Sequence, residues 1–257
     1  MKLEEIIDLN KYQLTDAYFK ESIRSKFKRD GVLTLPDFLS KKAIEAVRAE
    51  GLQNQDKAYY CTDQHNSYQM PFDPEYVADH PRNRQVVSSK GCIADDQIPE
   101  ISALKTLYNS KTFKDFLSYV LEEEALFPYA DEVSPVNLHY AQTGQELGWH
   151  YDHSSFSITL MIQPAEKGGE FEYVQNLRDA DNGDMNFDGT DEVMTGKMTP
   201  DKISLPAGAL AMFRGRNSIH RVTPNLGETT RMLVVFAYNS KPGIAIAPTS
   251  RKLFYGR

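Results

Sequence analysis

The 257-residue sequence contains only two cysteines, Cys61 and Cys92, and they form no CxxC pair. That scarcity argues against a disulfide framework and against a thiolate metal site, so two free thiols of a cytoplasmic protein are expected. Basic charge is also short: 29 Lys and Arg face 36 Asp and Glu, a net charge of -7, which disfavours a general binder of nucleic-acid backbone. No apolar run approaches the roughly 18 residues that a membrane span needs. The opening MKLEEIIDLNKYQL lacks a basic-then-apolar stretch, so no secretory signal is expected. Internal repeats and low-complexity tracts are missing as well. What remains is ordinary globular composition, 40% hydrophobic and 25% charged, in a chain long enough to bury a core without staples.

The first half reads as mainly helical. In LTDAYFKESIRSKFKRDG, apolar residues recur at helical spacing until Gly31 stops the run. GVLTLPDF then reads as a short strand, and Ser40 caps a second helix through KKAIEAVRAEG. Residues 52–98 look irregular, with two further helices expected over 99–109 and 111–124, the latter capped by Ser110. From about 136 the period changes. VNLHYAQTG, FSITLMIQ, GGEFEYV, AGALAMFRG, IHRVTPN and RMLVVFAYN are short β-branched or aromatic runs punctuated by Gly, Pro and Asn, the pattern of a barrel or sandwich. An acidic insertion, QNLRDADNGDMNFDGTDEVMTGKMTP, interrupts it and reads as a solvated lid; its spacing is not that of an EF-hand.

The chemistry concentrates in GWHYDHSSF. On a strand, His150 and Asp152 project from one face, because side chains alternate. His220, on another expected strand, can add a third ligand. Two histidines and one carboxylate on one face of an octahedron are the ligand set of non-haem iron(II) oxygenases, with open positions for a cosubstrate and oxygen. HxD alone is a weak signal. Arg231 strengthens it, since an arginine entering the apolar strand RMLVVFAY needs an anionic partner, which a cosubstrate carboxylate provides.

From Val136 to Gly243 the sequence resembles the iron(II)/2-oxoglutarate-dependent dioxygenase superfamily. The resemblance is carried by HYD at 150–152, by His220 and by Arg231. It implies a mainly β, α+β fold with N-terminal helices around a double-stranded β-helix, or jelly roll. One domain over 1–257 is expected, with 1–135 as helical support and lid and 136–257 as the jelly-roll core. GWHYDHSSFSITLMIQ, GGEFEYV and FAYNSKPG are similar to the group that hydroxylates or chlorinates free amino acids, of which the lysine chlorinase is the best-known type. The resemblance implies iron(II) on His150, Asp152 and His220, the distal carboxylate of 2-oxoglutarate on Arg231, and O2 as oxidant. Halogenating members have a small residue at the position of Asp152, leaving room for chloride; a carboxylate there favours hydroxylation. Many members place a Ser or Thr at the position of Leu233, so Tyr140 or Thr229 is expected to supply the missing cosubstrate contact.

For the substrate, Arg84 on the 52–98 segment is the candidate partner of a carboxylate. His153 is a second substrate candidate if a bulge turns it inward. Acidic residues of the insertion, Asp179, Asp181, Asp184, Asp188 and Asp191, then suggest a cationic substrate such as lysine. Trp149 reads as packing, His139 as either core or support, and His65 and His80 as loop residues. The expected partner is a small molecule, with neither nucleic acid nor membrane. Two alternatives stand beside the hydroxylase of a free amino acid. One is a hydroxylase of a carrier-bound or peptide residue; the other is a silent jelly-roll protein that binds 2-oxoglutarate or metal.

Overall fold

A computed structural model describes residues 1–257, apart from the side chain of Thr249. Local chemistry accounts for the helices. After a single turn, α1 (Leu3–Ile6), helix α2 (Ala17–Asp30) starts where Asp16 accepts from the Phe19 N–H at 2.7 Å. It stops at Gly31, whose φ of 62° suits a residue without Cβ. Strand β1 (Val32–Leu35) leads to α3 (Lys41–Asn54), capped by Ser40 on the Ala43 N–H. Next come β2 (Tyr59–Asn66) and β3 (Gln85–Ile93), then α4 (Ala103–Asn109) and α5 (Lys111–Leu121), capped by Ser102 and Ser110.

The second half runs β4 (Phe127–Pro128), β5 (Val136–Ala141), β6 (Leu147–His150), β7 (Ser157–Gln163) and β8 (Phe171–Val174). It continues through α5's successor α6 (Phe187–Met194), then β9 (Asp201–Ile203), β10 (Leu210–Phe213), β11 (Ile219–Val222), β12 (Arg231–Phe236) and β13 (Tyr238–Asn239). The last element is α7 (Pro248–Tyr255). Eleven strands form one antiparallel sheet in the order β1-β10-β7-β12-β5-β3-β6-β11-β8-β9, with β2 on β3. The sheet curls until its two ends face each other: Phe171 of β8 meets Phe213 of β10 at 5.0 Å between ring centroids. This is the expected jelly roll.

The 52–98 segment departs from expectation. It holds the β2–β3 hairpin, paired from Tyr59 with Cys92 to Asn66 with Gln85, so the sheet takes three strands from before residue 136. Asp63 and His65, like Ser88 and Lys90, face inward, and a polar inner face hides the apolar alternation that betrays a strand.

Alternation divides the β10-β7-β12-β5 layer into two jobs. Val136, Leu138, Tyr140, Ile158, Leu160, Met232, Val234 and Phe236 join the helices in the main apolar core. The intervening His139, Thr159, Arg231, Leu233 and Val235 line a cavity of about 1120 Å³ between the two layers. Burial of the first set, at about 25 cal/mol per Å² of apolar surface, fixes the strand phase and thereby decides which residues reach the cavity. The acidic insertion is built rather than loose: α6 packs Val193 with Tyr68, Trp149, Tyr151 and Ile219. Cys61 and Cys92 are both free thiols. Among the described residues, no helix is long and apolar enough to cross a membrane.

Candidate functional site

His150 closes β6 and pairs in register with His220 on β11, so adjacent strands present the two imidazoles side by side, 4.1 Å between ring centroids. Asp152 lies just beyond the end of β6. It is held there by its N–H on the Gly215 carbonyl at 3.1 Å, so the chain turns to bring the carboxylate inward where strand alternation alone was expected to do so. One ligand atom from each of the three residues lies within 4.8 Å of the others.

The orientation of both rings is set from behind. His150 Nδ1 is 2.8 Å from the Gly148 carbonyl and His220 Nδ1 is 3.0 Å from the Ser218 carbonyl. A carbonyl only accepts, so each Nδ1 carries the proton and each Nε2 keeps its lone pair for the site. The Nε2 atoms stand 3.9 and 3.6 Å from Asp152 Oδ1. Burial, then the neighbouring His220, lower the His150 pKa. Burial would by itself raise that of Asp152, but on balance it is lowered, by its contact with His220 first and with His150 after it. A neutral imidazole beside a carboxylate is the state in which such groups bind a divalent cation.

Gly215 is required for this arrangement. A Cβ there would fall 2.0 Å from Asp152 Oδ2, so any side chain displaces the carboxylate. Gly215→Ala is expected to weaken metal binding by about 10- to 100-fold, as for other disturbed supports of ligands. Metal titration of the purified variant checks this, and unchanged affinity would show that Asp152 is not a ligand. Gly215 carries no signal in the sequence, because its partner is distant in the chain.

Arg231 stands on β12, in the facing layer. It is 6% exposed, its Nε has no hydrogen-bond partner, and burial alone lowers its pKa to about 10. A buried guanidinium without a carboxylate is costly and marks a place for an anion. His139 lines the same cavity, and burial with the charges of Lys90 and Arg231 keeps its pKa well below the usual imidazole value.

Three residues expected at the site have their polar groups engaged elsewhere. Tyr140 does not reach the cavity: its side chain has the opposite phase from His139, and its hydroxyl donates to the Gly51 carbonyl at 2.7 Å in the core. Thr229 is spent on Glu166 at 2.5 Å outside the cavity wall. Arg84 is occupied too, donating to Asp79 Oδ1 at 3.0 Å and to Asp191 Oδ1 at 2.7 Å, and it does not line the cavity. No residue of the acidic insertion lines it either, so neither Arg84 nor that insertion faces a substrate in the cavity.

Other residues fall closer to expectation. Trp149 packs outside the cavity, under the Arg221 guanidinium at 4.6 Å. His153 follows the end of β6 and lies on the cavity wall. His65, read as a loop residue, belongs to β2; its Nε2 meets Ser88 Oγ at 2.7 Å and its ring lies edge-on to His150. Lys90 and Asp63 also line the cavity; nothing in their local sequence marks them, because the hairpin that carries them has a polar inner face.

Known structures share this fold at low identity. A 2OG-Fe(II) oxygenase family oxidoreductase from Burkholderia pseudomallei superposes with a TM-score of 0.55 and 13% identity, over 88% of this chain and 92% of that one. The nogalamycin-biosynthesis epimerase SnoN gives 0.60 and 14%, over 91% and 94%, and the carbocyclase SnoK gives 0.58 and 13%, over 90% of each. No curated protein sequence matches the chain. The family model described as Halogenase D, in contrast, matches residues 15–251, which spans α2 to α6, the hairpin and every residue of the site described above, so the chain belongs to the Halogenase D family.

Proposed function

We propose that this protein is an iron(II)- and 2-oxoglutarate-dependent hydroxylase of a small molecule, with a free amino acid as its substrate class. The observation that carries the reading is one cavity with a two-histidine, one-carboxylate cluster on one layer and an unpaired buried arginine on the other. SnoN, a protein of similar fold, has been solved with Fe3+ and alpha ketoglutarate, and the ligand set here fits such a pair. His150, Asp152 and His220 would hold the metal through Nε2, a carboxylate oxygen and Nε2. When bound, the metal and cosubstrate supply the oxidation of a C–H bond, coupled to conversion of 2-oxoglutarate to succinate and carbon dioxide.

The protein's own share is positional. The Gly148 and Ser218 carbonyls hold the imidazole tautomers, and Gly215 leaves space for Asp152. Arg231 would take the far carboxylate of 2-oxoglutarate through two N–H donors. Leu233 beside it offers no hydroxyl, which leaves the guanidinium to do this alone. The apolar walls, among them Phe156, Val235, Phe213 and Phe254, exclude water from the reacting centre. Asp152 favours hydroxylation over the halogenation for which the family is named, because its carboxylate fills the position that chloride would take.

The test is incubation with iron(II), 2-oxoglutarate, oxygen and a pool of free amino acids in chloride buffer, lysine included on the sequence resemblance. Succinate release and one amino acid gaining a single oxygen are expected. A chlorinated product would overturn the role given to Asp152, and no succinate with any amino acid would overturn the substrate class.

A further inference from the structure

Lys90 is a cation whose partner is missing. It stands on β3 opposite Cys61 of β2 and lines the cavity with the metal-ligand cluster. Among the described residues, no carboxylate approaches its ammonium within salt-bridge distance; the side chain lies instead over the Phe254 ring, with Nζ 4.6 Å from the centroid. An ammonium taken from water against an aromatic face recovers less than the hydration it forfeits. Burial accordingly lowers its pKa.

Asp63 is its counterpart. It sits on β2 opposite Ser88, two residues beyond Cys61 and therefore on the same face of the hairpin as Lys90. It also lines the cavity and forms no ion pair among the described residues. Diagonal neighbours across antiparallel strands stand about 7–8 Å apart, too far to neutralise each other unless the side chains converge. One wall of the cavity thus offers a positive and a negative charge, neither of them in an ion pair among the described residues; the Asp152 carboxylate acts on Lys90 only from beyond salt-bridge distance.

On the reading of a hydroxylase of free amino acids, we propose that the β2–β3 hairpin is a zwitterion receptor, in which Lys90 holds the substrate carboxylate and Asp63 its ammonium. Arg231, in the other layer, is left for the cosubstrate. The two cations then divide the two anionic molecules between them. A carrier-bound or peptide residue, whose carboxylate is a thioester or amide, would leave Lys90 as bare as it is now. Phe254, from α7, lies against the same ammonium and lines the same cavity.

The test uses the amino acid that the pool experiment identifies, together with its carboxamide and its N-acetyl derivative. Wild-type enzyme is expected to favour the free amino acid over either derivative by at least tenfold in kcat/KM. Lys90→Met should raise KM for the free acid tenfold or more and erase its advantage over the carboxamide. Asp63→Asn should do the same with respect to the N-acetyl derivative. The half-saturating 2-oxoglutarate concentration should stay within twofold in both variants, and calorimetric titration of the amino acid should show the same loss of affinity. Unchanged KM in both variants would overturn the receptor while the hydroxylase reading stands. A loss confined to 2-oxoglutarate in Lys90→Met would overturn it too, by reassigning Lys90 to the cosubstrate. If wild type releases no succinate with any free amino acid, the underlying reading fails first.

Discussion

Alanine at His150, Asp152 or His220 is expected to reduce succinate formation by at least about 10³-fold, about 4 kcal/mol of activation free energy. Each replacement removes one of three ligand atoms gathered within 4.8 Å, and no other such group is found among the described residues. The fold should survive. These side chains lie on the cavity side of the curled sheet, outside the apolar core that joins helices to strands. Loss of the His150 or His220 ring forfeits one hydrogen bond to a backbone carbonyl, about 1 kcal/mol. Succinate release measured beside bound iron and far-ultraviolet circular dichroism checks all three points. Wild-type succinate formation in all three variants would show that the metal sits elsewhere.

Arg231→Ala is expected to act on the cosubstrate instead. Losing a desolvated, charge-assisted pair costs about 2–5 kcal/mol, which is roughly 30-fold or more in apparent affinity for 2-oxoglutarate. The effect should exceed that at a surface arginine, because Arg231 is 6% exposed and has no protein anion to fall back on. Arg231→Lys should recover only part of the loss, since an ammonium keeps the charge but not the planar two-donor fork. Iron content should be normal in both, as the residue lies in the layer facing the ligands. The dependence of succinate formation on 2-oxoglutarate concentration is the measurement. An unchanged half-saturation would move the role to another cation.

Features carried by a few adjacent residues were legible in the sequence. The caps at Ser40 and Ser110 follow from side chains meeting backbone groups within one turn, and the stop at Gly31 from a residue without Cβ at positive φ. The cluster of His150, Asp152 and His220 was legible for another reason. Charged and imidazole groups among apolar strands are expensive, so their presence declares a purpose. Arg231 was conspicuous on the same ground.

Strand phase and long-range pairing were decided only by the tertiary structure. His139 and Tyr140 are neighbours, and which of them faces the cavity depends on which face of β5 the helices cover. Burial against the helices takes Tyr140 into the core, the opposite of the cavity face expected from the sequence. Arg84 carries the right charge for a substrate carboxylate, but Asp79 and Asp191 neutralise it, and Asp191 comes from a helix 107 positions later in the chain. Lys90 is the converse case, unremarkable in QVVSSKGC until the hairpin sets it in the cavity with no anion beside it. Composition and spacing determine which charges the chain carries. Which of them are neutralised is a property of folding, because an ion pair depends on distances that residues far apart in sequence acquire only when the sheet closes.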